Sequence, residues 1–230
     1  MLNLGGSNNK MRQSEGDVSF LVCRGGDDGD DDDDVVSLKV FMAGWYGSGK
    51  TTFLECVRCG GSSAPTWEYT PVVAEIFELE GTLDGNQSHL HFKLTFWDWF
   101  VQMWQDGRRL MELSLPQTDV CILNYSVEDR EHVGMLESYW IPKMKEYCPN
   151  CVFVLHAMQT DKRQVNDACM SEEEGRTLAT KLNVAYYESS TMTQPNQVMK
   201  VVGGACHQWL LNHQKTSSKT KQNNSKCQIQ

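Results

Sequence analysis

The clearest chemistry in the chain lies in Gly44-Trp45-Tyr46-Gly47-Ser48-Gly49-Lys50-Thr51, which fits the spacing G-x-x-x-x-G-K-[ST]. Glycines at 44, 47 and 49 let the backbone curl so that successive N–H groups, those of Tyr46 and Ser48 included, face a β-phosphate. Lys50 has the reach to meet the β- and γ-phosphates, and the Thr51 hydroxyl is a hard ligand for Mg²⁺. Thr52 continues the same cradle at the start of a helix, whose N-terminal partial charge favours an anion. The ligand this spacing asks for is a nucleoside triphosphate or its diphosphate.

Such a loop works only between a strand and a helix, and the flanking residues supply both. Val35–Ala43 is a short apolar run ending at Gly44, the pattern of a buried strand, and Thr52–Val57 can begin a helix. Residues Val72–Glu80 and His89–Trp97 alternate apolar and polar side chains around Leu83-Asp84-Gly85-Asn86, which reads as a hairpin turn. Val120–Tyr125, Val152–Ala157 and the shorter Val184–Tyr187 are further strands. Val133, Leu136, Trp140, Met144 and Tyr147 recur every three or four residues, as on one helical face. Ser171 and Glu174 form a capping-box signal ahead of Leu178, Ala179 and Leu182, and Val198, Val201, Val202, Ala205 and Trp209 mark a last helix. Six strands alternating with helices predict an α/β fold of the P-loop NTPase kind. Its six-stranded sheet should be mostly parallel with one antiparallel hairpin strand, and helices should flank it.

Charge divides the 230 residues into three parts. Residues 1–34 hold nine acids and three bases, including the run Asp27–Asp34, and read as a disordered acidic extension. Residues 35–213 form the domain, with a net charge of −7. Residues 214–230 carry four lysines and no acid and read as a flexible basic tail. A chain of net charge −9 is a poor general partner for nucleic-acid phosphates, so no nucleic acid is expected. No stretch approaches the roughly 18–20 apolar residues of a membrane span, and the first residues lack the blocks of a secretory signal and the Gly needed for myristoylation. Nine cysteines in such a chain read as reduced cytosolic thiols. The pairs Cys56/Cys59 and Cys148/Cys151 stand far apart, with no reason in the sequence to converge on a zinc ion.

Beyond the loop, the core resembles a small GTPase of the Ras superfamily, most of all its Rho branch. Trp97-Asp98 stands where that family ends a strand with its magnesium-linked aspartate. Pro116-Gln117-Thr118-Asp119-Val120, running into Cys121-Ile122-Leu123-Asn124-Tyr125-Ser126-Val127, is similar to a Rho-type strand, and Trp140-Ile141-Pro142 and Tyr147-Cys148-Pro149-Asn150 to a Rho helix and its exit. Met158-Gln159-Thr160-Asp161 resembles the guanine-reading segment. The resemblance implies that Asp161 accepts hydrogen bonds from guanine N1–H and the 2-amino group, which adenine cannot offer, and that the Gln159 stem packs over the base. It also implies base contacts at Ser190 and Thr191 within Glu188-Ser189-Ser190-Thr191-Met192. Thr51 and Asp98 would be the metal-linked pair, with Mg²⁺ and GTP or GDP as ligands. Partners would be effector and regulatory proteins acting through the switch regions.

Four departures from the family bear on hydrolysis. A Tyr at 46 stands where the family has a glycine beside the γ-phosphate, and it crowds the path of an arginine finger. In Asp98-Trp99-Phe100-Val101-Gln102 the water-orienting Gln102 is kept as catalytic residue, but Val101 replaces a glycine. In Tyr69-Thr70-Pro71-Val72-Val73 the magnesium-binding hydroxyl is missing at Val72 unless Thr70 takes its place by a register shift. Met158 replaces the residue that ties the base loop to the phosphate loop. The helical insert of Rho proteins is absent between Asp161 and Ser171. Catalysis in this class is mostly positioning, and the arginine finger alone supplies about 10³–10⁵ in rate, so turnover should be very slow. The expected function is a GTP-binding switch in signal transduction with slow hydrolysis. Its alternative is a pseudo-GTPase scaffold that binds effectors without turnover. A P-loop kinase or ATPase fits less well, given Asp161 and the Rho-like strand.

Two further segments complete the reading. Cys227-Gln228-Ile229-Gln230 is a Cys-a-a-X box behind Lys215, Lys219, Lys221 and Lys226, which points to prenylation of Cys227. The chain is then expected in the cytoplasm, on the cytosolic face of a membrane when lipidated. Trp97, Trp99, Phe100, Met103 and Trp104 cluster near the second switch, where they serve either a partner surface or the core.

Overall fold

Val36–Gly44 (β2) is buried without a break from Val40 to Gly44 because this half lies at the middle of a sheet covered on both faces, where each side of the pleat must be dry; Ser37 and Lys39 fall in its less covered first half. The computed structural model describes residues 19–22, 35–62, 74–85, 88–99 and 105–226, with side chains for 35–62, 75–83, 90–99 and 109–214. Strands Ala74–Gly85 (β3), Ser88–Trp99 (β4), Val120–Ser126 (β5), Val152–Met158 (β6) and Ala185–Glu188 (β7) complete the six expected from the sequence. With a further strand at Ser19–Val22 (β1), the strand order is β1-β3-β4-β2-β5-β6-β7. β2 is parallel to β4 and β5, and β5–β6–β7 continue parallel, while β3 and β4 form the antiparallel hairpin. Leu83, Asp84 and Gly85 remain in strand register, which corrects the expected Leu83–Asn86 turn at three of its four residues.

A seventh strand, Ser19–Val22 (β1), corrects the expectation that residues 1–34 are wholly disordered. It pairs antiparallel with β3, Ser19 facing Asp84 and Val22 facing Gly81, and packs beside the last helix. Charge averaged over 34 residues hides a short apolar run, and the open edge of β3 has backbone groups for it to satisfy.

Two apolar layers hold the sheet. On one face, Leu38, Val40 and Met42 of β2 meet Phe53 and Val57 of helix Lys50–Arg58 (α1) and Val198 and Val202 of helix Gln197–Lys226 (α6). On the other, Phe41 and Ala43 meet Met111 of helix Gln105–Ser114 (α2), and Val133, Leu136, Trp140 and Met144. Those four lie on one face, as expected, of helix Arg130–Met135 (α3), a π-turn at Leu136–Trp140 and helix Ile141–Tyr147 (α4). Helix Glu172–Leu182 (α5) starts at the expected capping box, with the Ser171 hydroxyl accepting from Glu174 N–H and the Glu174 carboxylate accepting from Ser171 N–H.

The flexible tail expected from residue 214 is also corrected, because α6 stays helical as far as Lys226. After Gly204 no Gly or Pro stops the helix, and Lys and Gln are good helix formers. Within the described residues, no helix is long and apolar enough to cross a membrane.

Candidate nucleotide-binding site

The chain leaves β2 at Gly44 toward β3 and β4 on one side, while β5 lies on the other. This reversal opens a crevice at the carboxyl ends of the strands, where open α/β sheets hold ligands. Gly44 is required there: its φ is +148°, and a Cβ would stand 2.4 Å from the Asn124 carbonyl oxygen of β5. Gly49 has φ +100° and caps α1 with no side-chain hydrogen bond, so the first N–H groups of α1 face outward for an anion.

Lys50 is buried, and its ammonium donates to the carbonyls of Gly44 (3.2 Å) and Trp45 (2.9 Å) and to Ser48 Oγ (3.5 Å). Burial pulls its pKa down, and the Asp98 carboxylate partly offsets this. Asp98, at the end of β4, is fully buried, and its Oδ2 accepts from Thr51 Oγ1 at 3.0 Å. Its Oδ1 has no hydrogen-bond partner among the described residues. Burial raises the Asp98 pKa against the opposing pull of Lys50 and Thr51. An unpartnered buried carboxylate oxygen beside a Thr hydroxyl is an all-oxygen donor set that fits Mg²⁺. A cation there would favour ionised Asp98, just as a polyanion beside Lys50 would favour the ammonium.

The opposite end of the crevice is a cavity of about 210 Å³. Gly49 and Thr52 of the phosphate side and Met158, Gln159, Asp161, Ser189 and Thr191 of the two far loops line it. The structure thus brings the sequence-derived guanine and phosphate residues to one crevice. Ser190 does not line the cavity; it is buried, and its hydroxyl donates to Asp161 Oδ1 at 2.5 Å. Asp161 sits on the 3-10 turn Thr160–Gln164, which is held by two ion pairs. Arg163 binds Glu188 in bidentate fashion at 2.9 and 2.7 Å, and Lys162 pairs with Glu128. Glu188 drives the Arg163 pKa further up.

Two contacts were missed by sequence reasoning. The tie between base loop and phosphate loop, expected lost with Met158, is supplied by Gln159. In left-handed backbone (φ 60°), Gln159 accepts from Ser126 Oγ at 2.8 Å and donates from Nε2 to the Gly47 carbonyl at 3.2 Å. Its stem still crosses Gly49 at the cavity floor. Trp45 stacks on His132 of α3 at 4.2 Å and 9°, and Asp129 holds the His132 ring through Nδ1. A motif position written as x carries no signal for either contact. The Tyr46 side chain is 64% exposed at the outside of the loop.

Trp97 and Trp99 pack against the core, and Lys39 lies 4.4 Å over the Trp97 ring, so these two do not form the exposed part of the expected partner patch. Exposed apolar side chains appear instead at Leu110 and Leu113 of α2. Gln102, with Phe100, Val101, Met103 and Trp104, lies outside the described residues, as do Tyr69–Val73 and Cys227.

Comparison with known proteins agrees with this geometry. The family model described as Ras family matches residues 39–210. The Rho-related protein racM of Dictyostelium discoideum is 26% identical over 159 residues, spanning 67% of this chain and 80% of that relative.

Proposed function

The chain belongs to the Ras family, and from that premise we propose that it is a Rho-like, GTP-binding molecular switch that retains nucleotide well and hydrolyses it slowly. The observation that carries this reading is the single crevice shared by the phosphate loop and Asp161: Gly49, Thr52 and Asp161 line one cavity. In it Lys50 and the N–H groups at the start of α1 bind the phosphates. Asp161 selects guanine through N1–H and the 2-amino group, held in place by Ser190. Thr51 and Asp98 would hold Mg²⁺, which neutralises charge on the β- and γ-phosphates when bound. Each of these residues binds or orients; a fast chemical step needs further elements close to the γ-phosphate. Tyr46 and Val101 stand where the family has glycines, and these two departures support slow turnover.

The test is the nucleotide content of the purified protein, followed by exchange of base preference. Parent protein should carry GTP or GDP at close to one equivalent. Asp161→Asn replaces an acceptor by a donor facing the 2-position, so guanine should lose at least 100-fold in affinity while xanthine, with a carbonyl there, gains. Protein that arrives empty and takes up neither GTP nor GDP supports the scaffold alternative, and an unchanged guanine preference in Asp161→Asn removes Asp161 from the site.

A further inference from the structure

Behind the crevice lies a polar chain that neither phosphate nor base chemistry requires. Asn124 of β5, His156 of β6 and Ser189 after β7 are all buried, with at most 1% of any side chain exposed. The amide orientation of Asn124 is set by two donations from Nδ2, to the Ala43 carbonyl (2.9 Å) and the Ile122 carbonyl (2.8 Å). Its Oδ1 must therefore accept, so His156 Nδ1, 2.9 Å away, carries the proton. His156 Nε2 is then a lone pair and accepts from Ser189 Oγ at 2.8 Å. Burial keeps the ring neutral, holding its pKa to about 3. Every polar atom in the chain is matched, and the direction of each bond follows from the one before.

The two ends of this chain are the two halves of the nucleotide site. Ala43 immediately precedes Gly44, which itself packs against the Asn124 backbone. Ser189 lines the cavity, its carbonyl accepts from Thr160 N–H at 3.4 Å, and the next residue, Ser190, holds Asp161. The His156 ring also meets Phe53 of α1 at 4.8 Å, edge on, so it touches the helix that carries Lys50. Three apolar side chains would fill this space without directional demands, whereas a fully matched buried network fixes one arrangement.

We propose that Asn124, His156 and Ser189 form a rigid connector that sets the base loop against the phosphate loop, with His156 as the positioning residue that governs how long nucleotide is retained. The part concerning retention rests on the nucleotide-binding reading above; the part concerning the base loop does not. Ser189→Ala leaves Nε2 without a donor, and His156→Leu removes both links. Each should speed dissociation of a fluorescent GDP analogue by about ten- to hundredfold. The double variant should be no faster than the worse single, because a chain in series is broken once. His156→Gln, whose terminal amide reaches the Nε2 position and can accept from Ser189 Oγ, should recover part of the retention. A role in packing alone would lower the melting temperature of the variants and leave the dissociation rate within twofold, which overturns the proposal. Amide exchange at Thr160 in nucleotide-free protein gives the second readout, expected faster in Ser189→Ala and refuting the connector if unchanged. Should the parent bind no guanine nucleotide, the functional reading fails and the retention claim with it, while Thr160 exchange still decides whether the connector orders the base loop.

Discussion

Replacing Gln159 by alanine tests whether the base loop and the phosphate loop are tied as the structure has them. The substitution removes an acceptor for Ser126 Oγ at 2.8 Å and a donor to the Gly47 carbonyl at 3.2 Å. It keeps a Cβ, so the left-handed backbone at φ 60° costs the same before and after. The partly buried Ser126 bond contributes about 1 kcal/mol and the exposed Gly47 bond about half that or less, for a total of about 1–2 kcal/mol. A factor of ten corresponds to about 1.4 kcal/mol, so dissociation of a fluorescent GDP analogue, followed by stopped flow with excess GDP, should accelerate roughly five- to thirtyfold. Ser126→Ala removes only the first bond and, with the weaker acceptance from Glu128 N–H at 3.3 Å, should fall below Gln159→Ala. A Gln159→Ala rate within twofold of the parent, at an unchanged circular dichroism spectrum, refutes the tie. So does a Ser126→Ala effect larger than that of Gln159→Ala.

Other perturbations separate steric, electrostatic and backbone causes. Tyr46→Gly should raise single-turnover GTP hydrolysis by about tenfold, since misplacement near the reacting atoms costs up to about 100-fold and Val101 remains; no increase would clear Tyr46 of crowding the γ-phosphate. His156, held at about 3 in the folded state against about 6.5 when unfolded, gives a pH test. Only the unfolded chain takes up the proton in that window, so stability falls as pH drops from about 6.5 toward 3, by about 2 kcal/mol at pH 5. Urea midpoints at pH 7 and pH 5 should show this slope in the parent and a flatter one in His156→Gln; equal slopes contradict a buried neutral ring. Gly44→Ala should cost about 3 kcal/mol or more, adding backbone strain to the clash with the Asn124 carbonyl. Gly47→Ala, whose Cβ meets nothing within 4 Å, should cost only the backbone part, about 1–2 kcal/mol, and equal melting temperatures for the two variants would remove the clash from the argument.

Local chemistry was legible in the sequence wherever one residue type was the only solution. Gly44 and Gly49 are dictated by backbone geometry, Ser171 and Glu174 by the orphan N–H groups of a helix start, and the strand β5 by its apolar run from Val120 to Tyr125. The candidate site was legible in its residue types alone, since few other side chains could take the roles proposed for Lys50, Thr51, Asp98 and Asp161. Contacts between distant segments were not legible. Gln159 reaches Gly47 across 112 positions of chain, and nothing in either local pattern marks the pairing. β1 escaped because four residues cannot offset the composition around them until the open edge of β3 is present to receive them. The length of α6 escaped for the opposite reason: a polar run lacks a core-forming period, yet a helix already started continues until something stops it.

The charge of the domain and the charge of its ligand then need reconciling, for residues 35–213 carry −7 and the nucleotide is itself a polyanion. At physiological salt the screening length is about 8 Å, so most of those acids act weakly on a phosphate in the crevice. Several are also spent on neighbours at the surface, as Glu174 on Arg130, Glu188 on Arg163 and Glu128 on Lys162. Close to the phosphates the groups that matter are Lys50, which is buried, and the outward N–H groups of α1. Lys50 and Asp98 are each pushed toward neutrality by burial, so the protein alone holds both charges at a cost. A bound phosphate and its cation would relieve both at once, one beside the lysine and one beside the aspartate. The same burial that strains the free site would therefore make ligand and metal mutually reinforcing, and would link nucleotide retention to the stability of the whole sheet.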